Sequence, residues 1–209
     1  MTPTLPTPHR HDPRRRALLV VACAATGACV LGRIPNAVAA TVDAQQPTLE
    51  FEADGVYASS TVVFALPRAL EDALRRGVPL YFLTNLDVRR GRWWWFDQRV
   101  GSGQLHTRLS YQPLLEKYHV STGALQRSYA ALDEALNQVQ HILRVKVADA
   151  RDLVPGQTYQ VTGRFELDLS QLPRPFQINV GSSTDWQLEA DFPAASFTWK
   201  PPPSTASPG

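Results

Sequence analysis

The chain has 209 residues, with 21 Lys and Arg against 19 Asp and Glu and a formal net charge of +2. Its first forty residues hold five of the arginines (Arg10, Arg14, Arg15, Arg16, Arg33) and one acid (Asp12), leaving 16 basic and 18 acidic residues and a net charge of −2 beyond them. The basic character belongs to that leader, which excludes a nucleic-acid footprint on the rest of the chain.

The leader, residues 1–40, reads as a signal peptide. Arg14, Arg15 and Arg16 form a positive n-region, residues 17–31 are apolar or small, and "AVAA" (37–40) supplies small residues for cleavage. The uncharged run is shorter than the roughly 20 residues that cross a bilayer, so no transmembrane span is expected after cleavage. Arg15, Arg16 and the apolar residues after them loosely fit a twin-arginine signal. Cys23 and Cys29 both lie in the leader, so the remainder is expected to have no disulfide and no thiol chemistry. Thr26 stands where a lipoprotein box would have an aliphatic residue, so no lipid is expected on Cys29. The protein is expected to be exported, and periplasmic if its source is Gram-negative.

Residues 41–46 read as a polar linker, 47–200 as a single β-rich domain and 201–209 as a disordered proline-rich tail. Leu49, Phe51 and Ala53 alternate with acids, Asp54 and Gly55 fit a type I′ turn, and Val56, Ala58, Ser60, Val62 and Phe64 carry the apolar face onward. Pro67 opens a short helix with Leu70, Ala73 and Leu74 on one face and Gly77 at its end.

Then comes "RRGRWWWFDQRVGSGQLHTRLSY" (89–111), with three tryptophans side by side. Gly101 and Ser102 fit a type II′ turn, and Arg89, Arg90 and Gly91 fit a three-residue loop with Gly91 left-handed. Together these turns imply a three-stranded meander in which Trp94 opposes Leu86 and Leu109, Trp95 opposes Arg108, Asp97 opposes His106, and Arg99 opposes Gln104. One face then carries Leu80, Phe82, Leu86, Val88, Trp94, Phe96, Val100, Leu105, Leu109 and Tyr111. The other, mixed face carries Tyr81, Leu83, Asn85, Asp87, Trp93, Trp95, Asp97, Arg99, Gln104, His106, Arg108 and Ser110.

A second helix is expected over 129–141, with Tyr129, Leu132, Leu136 and Val139 as its packing stripe. Leu143, Val145 and Val147 then start a strand. Tyr159, Val161, Gly163, Phe165, Leu167 and Leu169 make the cleanest half-buried strand, which "LPRPF" breaks. Short strands resume at 186–192 and 197–199. The fold class is mainly β (α+β), an antiparallel meander or two-layer β-sandwich-like domain with two short helices.

Chemistry is sparse. Asp97 with His106 is the one pair that resembles an orienter and a base, and Ser110 stands roughly 13 Å from His106 along the same strand, beyond proton transfer. His106, His119 and His141 lack metal-ligand spacing. "VGSGQ" and "VGSST" lack the setting and the lysine of a phosphate loop. No enzyme activity, cofactor or metal is expected. The candidate binding face is Trp93, Trp95, Asp97, Arg99, His106 and Arg108, unless a helix or the C-terminal segment covers it and Trp95 merely stacks on Arg108.

"GVPLYF" (77–82), "RWWWFD" (92–97), "RLSYQPL" (108–114), "YHVSTGALQRSY" (118–129) and "LDLSQLPRPFQINV" (167–180) resemble an uncharacterised family of exported proteobacterial proteins, a numbered domain of unknown function. The resemblance covers about 49–199. It implies a periplasmic location and lends no catalytic residues. Some relatives lie beside a nitrogen-type sensor kinase, which implies an accessory of signalling. The expected function is thus a periplasmic, non-enzymatic interaction protein with a protein partner in the cell envelope, an envelope sensor kinase among the candidates. The alternative is a small-ligand or glycan binder using the Trp93/Trp95 face.

Overall fold

Period-two alternation governs most of the chain, and it builds two antiparallel sheets packed face to face. The structure is a computed structural model and describes residues 42–91, 98–174 and 188–202. In chain order the elements are β1 (Asp43–Ala44), β2 (Thr48–Glu52), β3 (Gly55–Val63), α1 (Arg68–Arg75), β4 (Leu80–Arg90), β5 (Gln98–Gln112), β6 (Lys117–Thr122), β7 (Leu125–Tyr129), α2 (Leu132–Gln140), β8 (His141–Asp149), β9 (Thr158–Leu167) and β10 (Glu189–Thr198). Short 3-10 turns follow β8 and β9. The fold is mainly β with two short helices, as the alternation implies.

The smaller sheet is built on β3. Its buried face, Val56, Ala58, Ser60 and Val62, is the one read from the sequence. β2 and β1 pair in turn along one edge of β3, and β8 pairs along the other. Asp43 and Ala44, placed in a linker by composition, instead pair with Val63 and Val62, and Ser60 Oγ donates to the Gln45 carbonyl at 2.7 Å. The β2–β3 turn is also one residue earlier than expected. Glu52 pairs with Gly55, so Ala53 and Asp54 are the turn residues. Gly55 is needed for a different reason, since a Cβ there would lie 2.1 Å from the Ala148 carbonyl oxygen.

The larger sheet runs β10-β9-β4-β5-β6-β7. Here the meander departs from expectation. Gly101 and Ser102 do not turn; β5 is one continuous strand from Gln98 to Gln112, and Leu80 pairs with Leu109 through to Val88 with Gly101. The connection between β4 and β5 therefore lies at 91–97. Trp93, Trp94, Trp95, Phe96 and Asp97 fall outside the described residues. Gly91 does not adopt a positive φ. Of the inward set, Leu80, Phe82, Leu86, Val88 and Leu109 are fully or almost fully buried, and Val100, Leu105 and Tyr111 pack against the core partly buried. Leu86 faces Gly103 rather than Trp94, and these faces persist because alternation within each strand sets them whichever strand lies opposite.

Two strands and one bulge were not legible. β6 and β7 form a hairpin around Gly123 (φ 57°), with Thr122 opposite Leu125. Tyr129 therefore belongs to β7, and α2 starts at Leu132. In β8 the ladder passes from Ala58–Val145 to Ser60–Ile142, leaving Leu143 and Arg144 (φ 51°) as a bulge. The bulge shifts the alternation, so Ile142 and Val145 point inward while Leu143 is 63% exposed. The 186–192 and 197–199 segments are, where described, one strand with a bulge between Phe192 and Ala195.

Phe64, Phe82 and Phe165 meet at the centre of the core, with ring centroids 5.5–5.7 Å apart. Burial of each ring stabilises the fold by about 1.5–3 kcal/mol. α1 ends in a Schellman turn: Val78 N–H donates to the Ala73 carbonyl, Gly77 N–H donates to that of Leu74, and Gly77 takes φ 85°. At one corner the sheets touch. A Cβ at Gly101 would lie 2.3 Å from the Val147 carbonyl oxygen, and one at Gly103 2.5 Å from that of Lys146. Packed sheets usually stand about 10 Å apart, so β8 rests directly on the β5 backbone here.

Candidate functional site

The two faces of the larger sheet have different fates. Its inner face, which includes Phe82, Leu109, Val120 and Phe165, packs into the core with Leu70 and Leu74 of α1 and Leu136 and Val139 of α2. Both helices are thus spent on the inner side. Its outer face carries Glu166 and Arg164 from β9, Leu83, Asn85 and Asp87 from β4, and Gln104, His106 and Arg108 from β5. These side chains are half-buried or exposed, and among the described residues no helix lies over them.

The register decides which candidate residues meet. Arg108 lies across from Tyr81, its guanidinium carbon 5.9 Å from the ring centroid, rather than across from Trp95. His106 lies across from Leu83, not Asp97, so the expected base–orienter pairing is not made by the ladder. Arg99 pairs with Arg89 and reaches Asp87 at 3.5 Å. Arg99 and His106 are seven residues apart on one strand, roughly 23 Å. The single cluster expected from two short hairpins is therefore split along one long strand, because 101–102 continues β5 instead of reversing it. Trp93, Trp95 and Asp97 lie outside the described residues.

The centre of the outer face has an unusual group. Asn85 Oδ1 is buried and, among the described residues, has no hydrogen-bond partner. A buried acceptor left unpaired costs about 1–3 kcal/mol. On the neighbouring strands stand Gln104 and Arg164, and Arg164 is turned toward β10, donating from Nε to Asp191 at 2.8 Å and lying 3.4 Å from Glu189. The Arg164 guanidinium holds the Asp191 carboxyl below the usual carboxylate range.

Sequence reasoning missed a polar cluster farther along this face. Ser128 Oγ lies 2.9 Å from His119 Nδ1, while Gln112 Oε1 lies 3.2 Å from His119 Nε2. The hydroxyl and ring are within proton-transfer reach. None of the described cavities is lined by either residue, so they tie β6 to β7 on an open surface. The cluster needs β6 and β7 side by side, and that hairpin was not read from the sequence.

The smaller sheet carries a charged outer surface. Arg144 bridges Glu50 at 2.7 Å and Glu52 at 2.5 Å and covers the Tyr57 ring at 5.0 Å. Lys146 bridges Asp149 at 2.7 Å and Asp54 at 3.0 Å. The hydrogen bond from Tyr57, followed by that from Lys146, lowers the Asp54 pKa, and the hydrogen bond from Lys146 lowers that of Asp149. These opposite charges are matched locally, as in a solvated sheet surface.

A groove of about 210 Å³ opens between the sheets at the edge farthest from β10, lined by Leu105, Val120, Leu125 and Leu143 together with Thr107, Thr122, Arg127, Gln138 and His141. Among the described residues no group of His, Cys, Asp and Glu could hold a metal ion, and no helix is long and apolar enough to cross a membrane. No curated protein and no solved structure matches the chain. A family model does, over residues 39–194, a span that runs from before β1 into β10 and takes in both sheets. The chain belongs to the family described as Domain of unknown function (DUF4390).

Proposed function

We propose that this protein is an exported, non-enzymatic interaction module that works in the periplasm and binds a protein partner through the outer face of its larger sheet. One observation carries the reading. Both helices pack on the inner side, so that among the described residues no helix covers the outer face, where Tyr81 and Leu83 stand half-exposed between His106, Arg108 and Glu166. Such a face offers breadth rather than enclosure, which suits a protein surface better than a small ligand. Mixed charges around a partly apolar centre give a partner both contact area and orientation. The family resemblance suggests an envelope sensor kinase as the partner class.

The test is affinity capture from the cell envelope with identification by mass spectrometry, comparing the unaltered protein with His106→Ala/Arg108→Ala and with Trp93→Ala/Trp95→Ala. A partner held by the unaltered chain and lost with His106→Ala/Arg108→Ala supports the outer face. Identical capture by all three proteins removes it.

A further inference from the structure

The groove beside β7 has three features that belong together. First, β7 ends the larger sheet, and Leu125, Gln126, Arg127 and Ser128 are all exposed. The opposite edge, β10, is blunted by Pro193 inside its bulge, a common guard against strand addition. β7 has no proline and no bulge. Its outer row of backbone donors and acceptors has no partner strand among the described residues.

Second, the groove beneath this edge is small and mixed, with Leu105, Val120, Leu125 and Leu143 standing among Thr107, Thr122, Gln138 and His141. Leu125 is 72% and Leu143 63% exposed, and Leu105 lines the groove with them. A volume of about 210 Å³ is below the roughly 300–1,000 Å³ of small-molecule sites. It suits one or two apolar side chains belonging to something larger.

Third, Arg127 has no counter-charge among the described residues. Its one described hydrogen bond is to the neutral Gln138 Oε1 at 3.5 Å, and none of the described ion pairs includes it. No acidic residue lines the groove. Arg144 and Arg164, by contrast, each engage two carboxylates.

We infer that the free edge of β7 takes an extended segment of a partner protein as a seventh strand, with an apolar side chain in the Leu105/Leu125/Leu143 groove and a carboxylate against Arg127. Leu125 and Arg127 lie on the same face of β7, about 6.8 Å apart, matching alternate side chains of an added strand. Antiparallel addition, the pattern throughout this sheet, puts the acid before the apolar residue, giving acid-x-apolar. A second copy is a poorer occupant, because β7 pairing with itself about its middle residue would set Arg127 against Arg127. The groove lies on the opposite side of the sheet from His106 and Arg108, so this inference stands apart from the outer-face reading.

The probe is a fluorescein-labelled peptide, Thr-Thr-Glu-Thr-Leu-Thr-Thr, titrated with the full chain and followed by anisotropy, with Lys replacing Glu as the control. The Glu peptide is expected to bind about fivefold more tightly than the Lys peptide. Arg127→Glu should reverse that order, His106→Ala/Arg108→Ala should leave it unchanged, and circular dichroism should show Arg127→Glu to be folded. Equal affinity for both peptides, no binding of either, or no effect of Arg127→Glu overturns the inference. Sedimentation showing a dimer that Leu125→Ser dissolves would put a second copy in the groove and overturn it too.

Discussion

A single missing methyl decides how closely the two sheets approach. Gly101 and Gly103 face the β8 backbone, and the nearest atoms to an added Cβ at each are carbonyl oxygens that cannot rotate away. Gly101→Ala and Gly103→Ala should therefore each lower stability by about 1–3 kcal/mol, the range for overpacking. Thermal melts measure this, and Gly91→Ala serves as the control because nothing lies within 4 Å of a Cβ there. The sequence marked Gly91 and Gly101 as the residues that hold register, through their freedom to turn. Gly101 matters instead because another strand lies on it, a long-range contact with no local signature. Asn85 offers the reverse test. Replacing its unpaired buried acceptor with Leu should leave the melting temperature unchanged or raise it. A clear fall would show that the amide has a partner.

Elements were legible where one periodicity ran without interruption. β9 and the inner face of β3 follow from strict alternation, and α1 follows from Pro67 and Gly77, its cap residues. β8 was less legible, because the bulge at Leu143 and Arg144 inserts a residue and reverses which apolar side chains face inward. The β6–β7 hairpin was missed because β7, "LQRSY", is an exposed edge with little alternation to detect. The outer side of β4 and of β5 beyond Gly103 was legible from alternation within each strand, whereas the grouping of Arg99 with His106 depended on the turn position and failed with it. The charged cluster on β8 makes an element-level prediction. Asp54 and Asp149 are lowered in the folded state, so their contribution is present above the ordinary carboxyl range and lost as pH falls through their lowered values. Lys146 is raised by the same contacts, so its contribution is present below its ordinary value and lost only in strong alkali. Lys146→Met should move both carboxyl titrations upward in carbon-detected NMR. Unchanged midpoints would mean that the two bridges do not persist in solution.

At the scale of the molecule, the fold extends beyond the span matched by the family model. That span ends at residue 194, but β10 continues through Thr198, and Trp199 is 2% exposed. Trp199 N–H donates to the Gln157 carbonyl, its own carbonyl accepts from Gly156, and its ring lies 6.2 Å from that of Phe51. A chain cut after Ala194 should fail to give a cooperative melt, because it loses the last four residues of β10 and two buried aromatics, Phe197 and Trp199, from the seam between the sheets. Trp199→Ala alone should cost about 3–5 kcal/mol, a large part of the roughly 5–15 kcal/mol that holds a domain folded. A cooperative melt from the shortened chain would show that the C-terminal end of β10 is dispensable.

The contact of β8 with Gly101 and Gly103 also sets a gradient of breathing. Where the backbones touch, no side-chain layer can loosen, and amides there can exchange with solvent only when most of the domain opens. Toward β7 the same two sheets diverge around a groove, and among the described residues its outermost strand is fastened along one side alone. Deuterium should therefore enter from the β7 side and reach the glycine corner last. In the larger sheet, the amides expected to exchange first and the edge inferred to take a partner's strand would then be the same five residues.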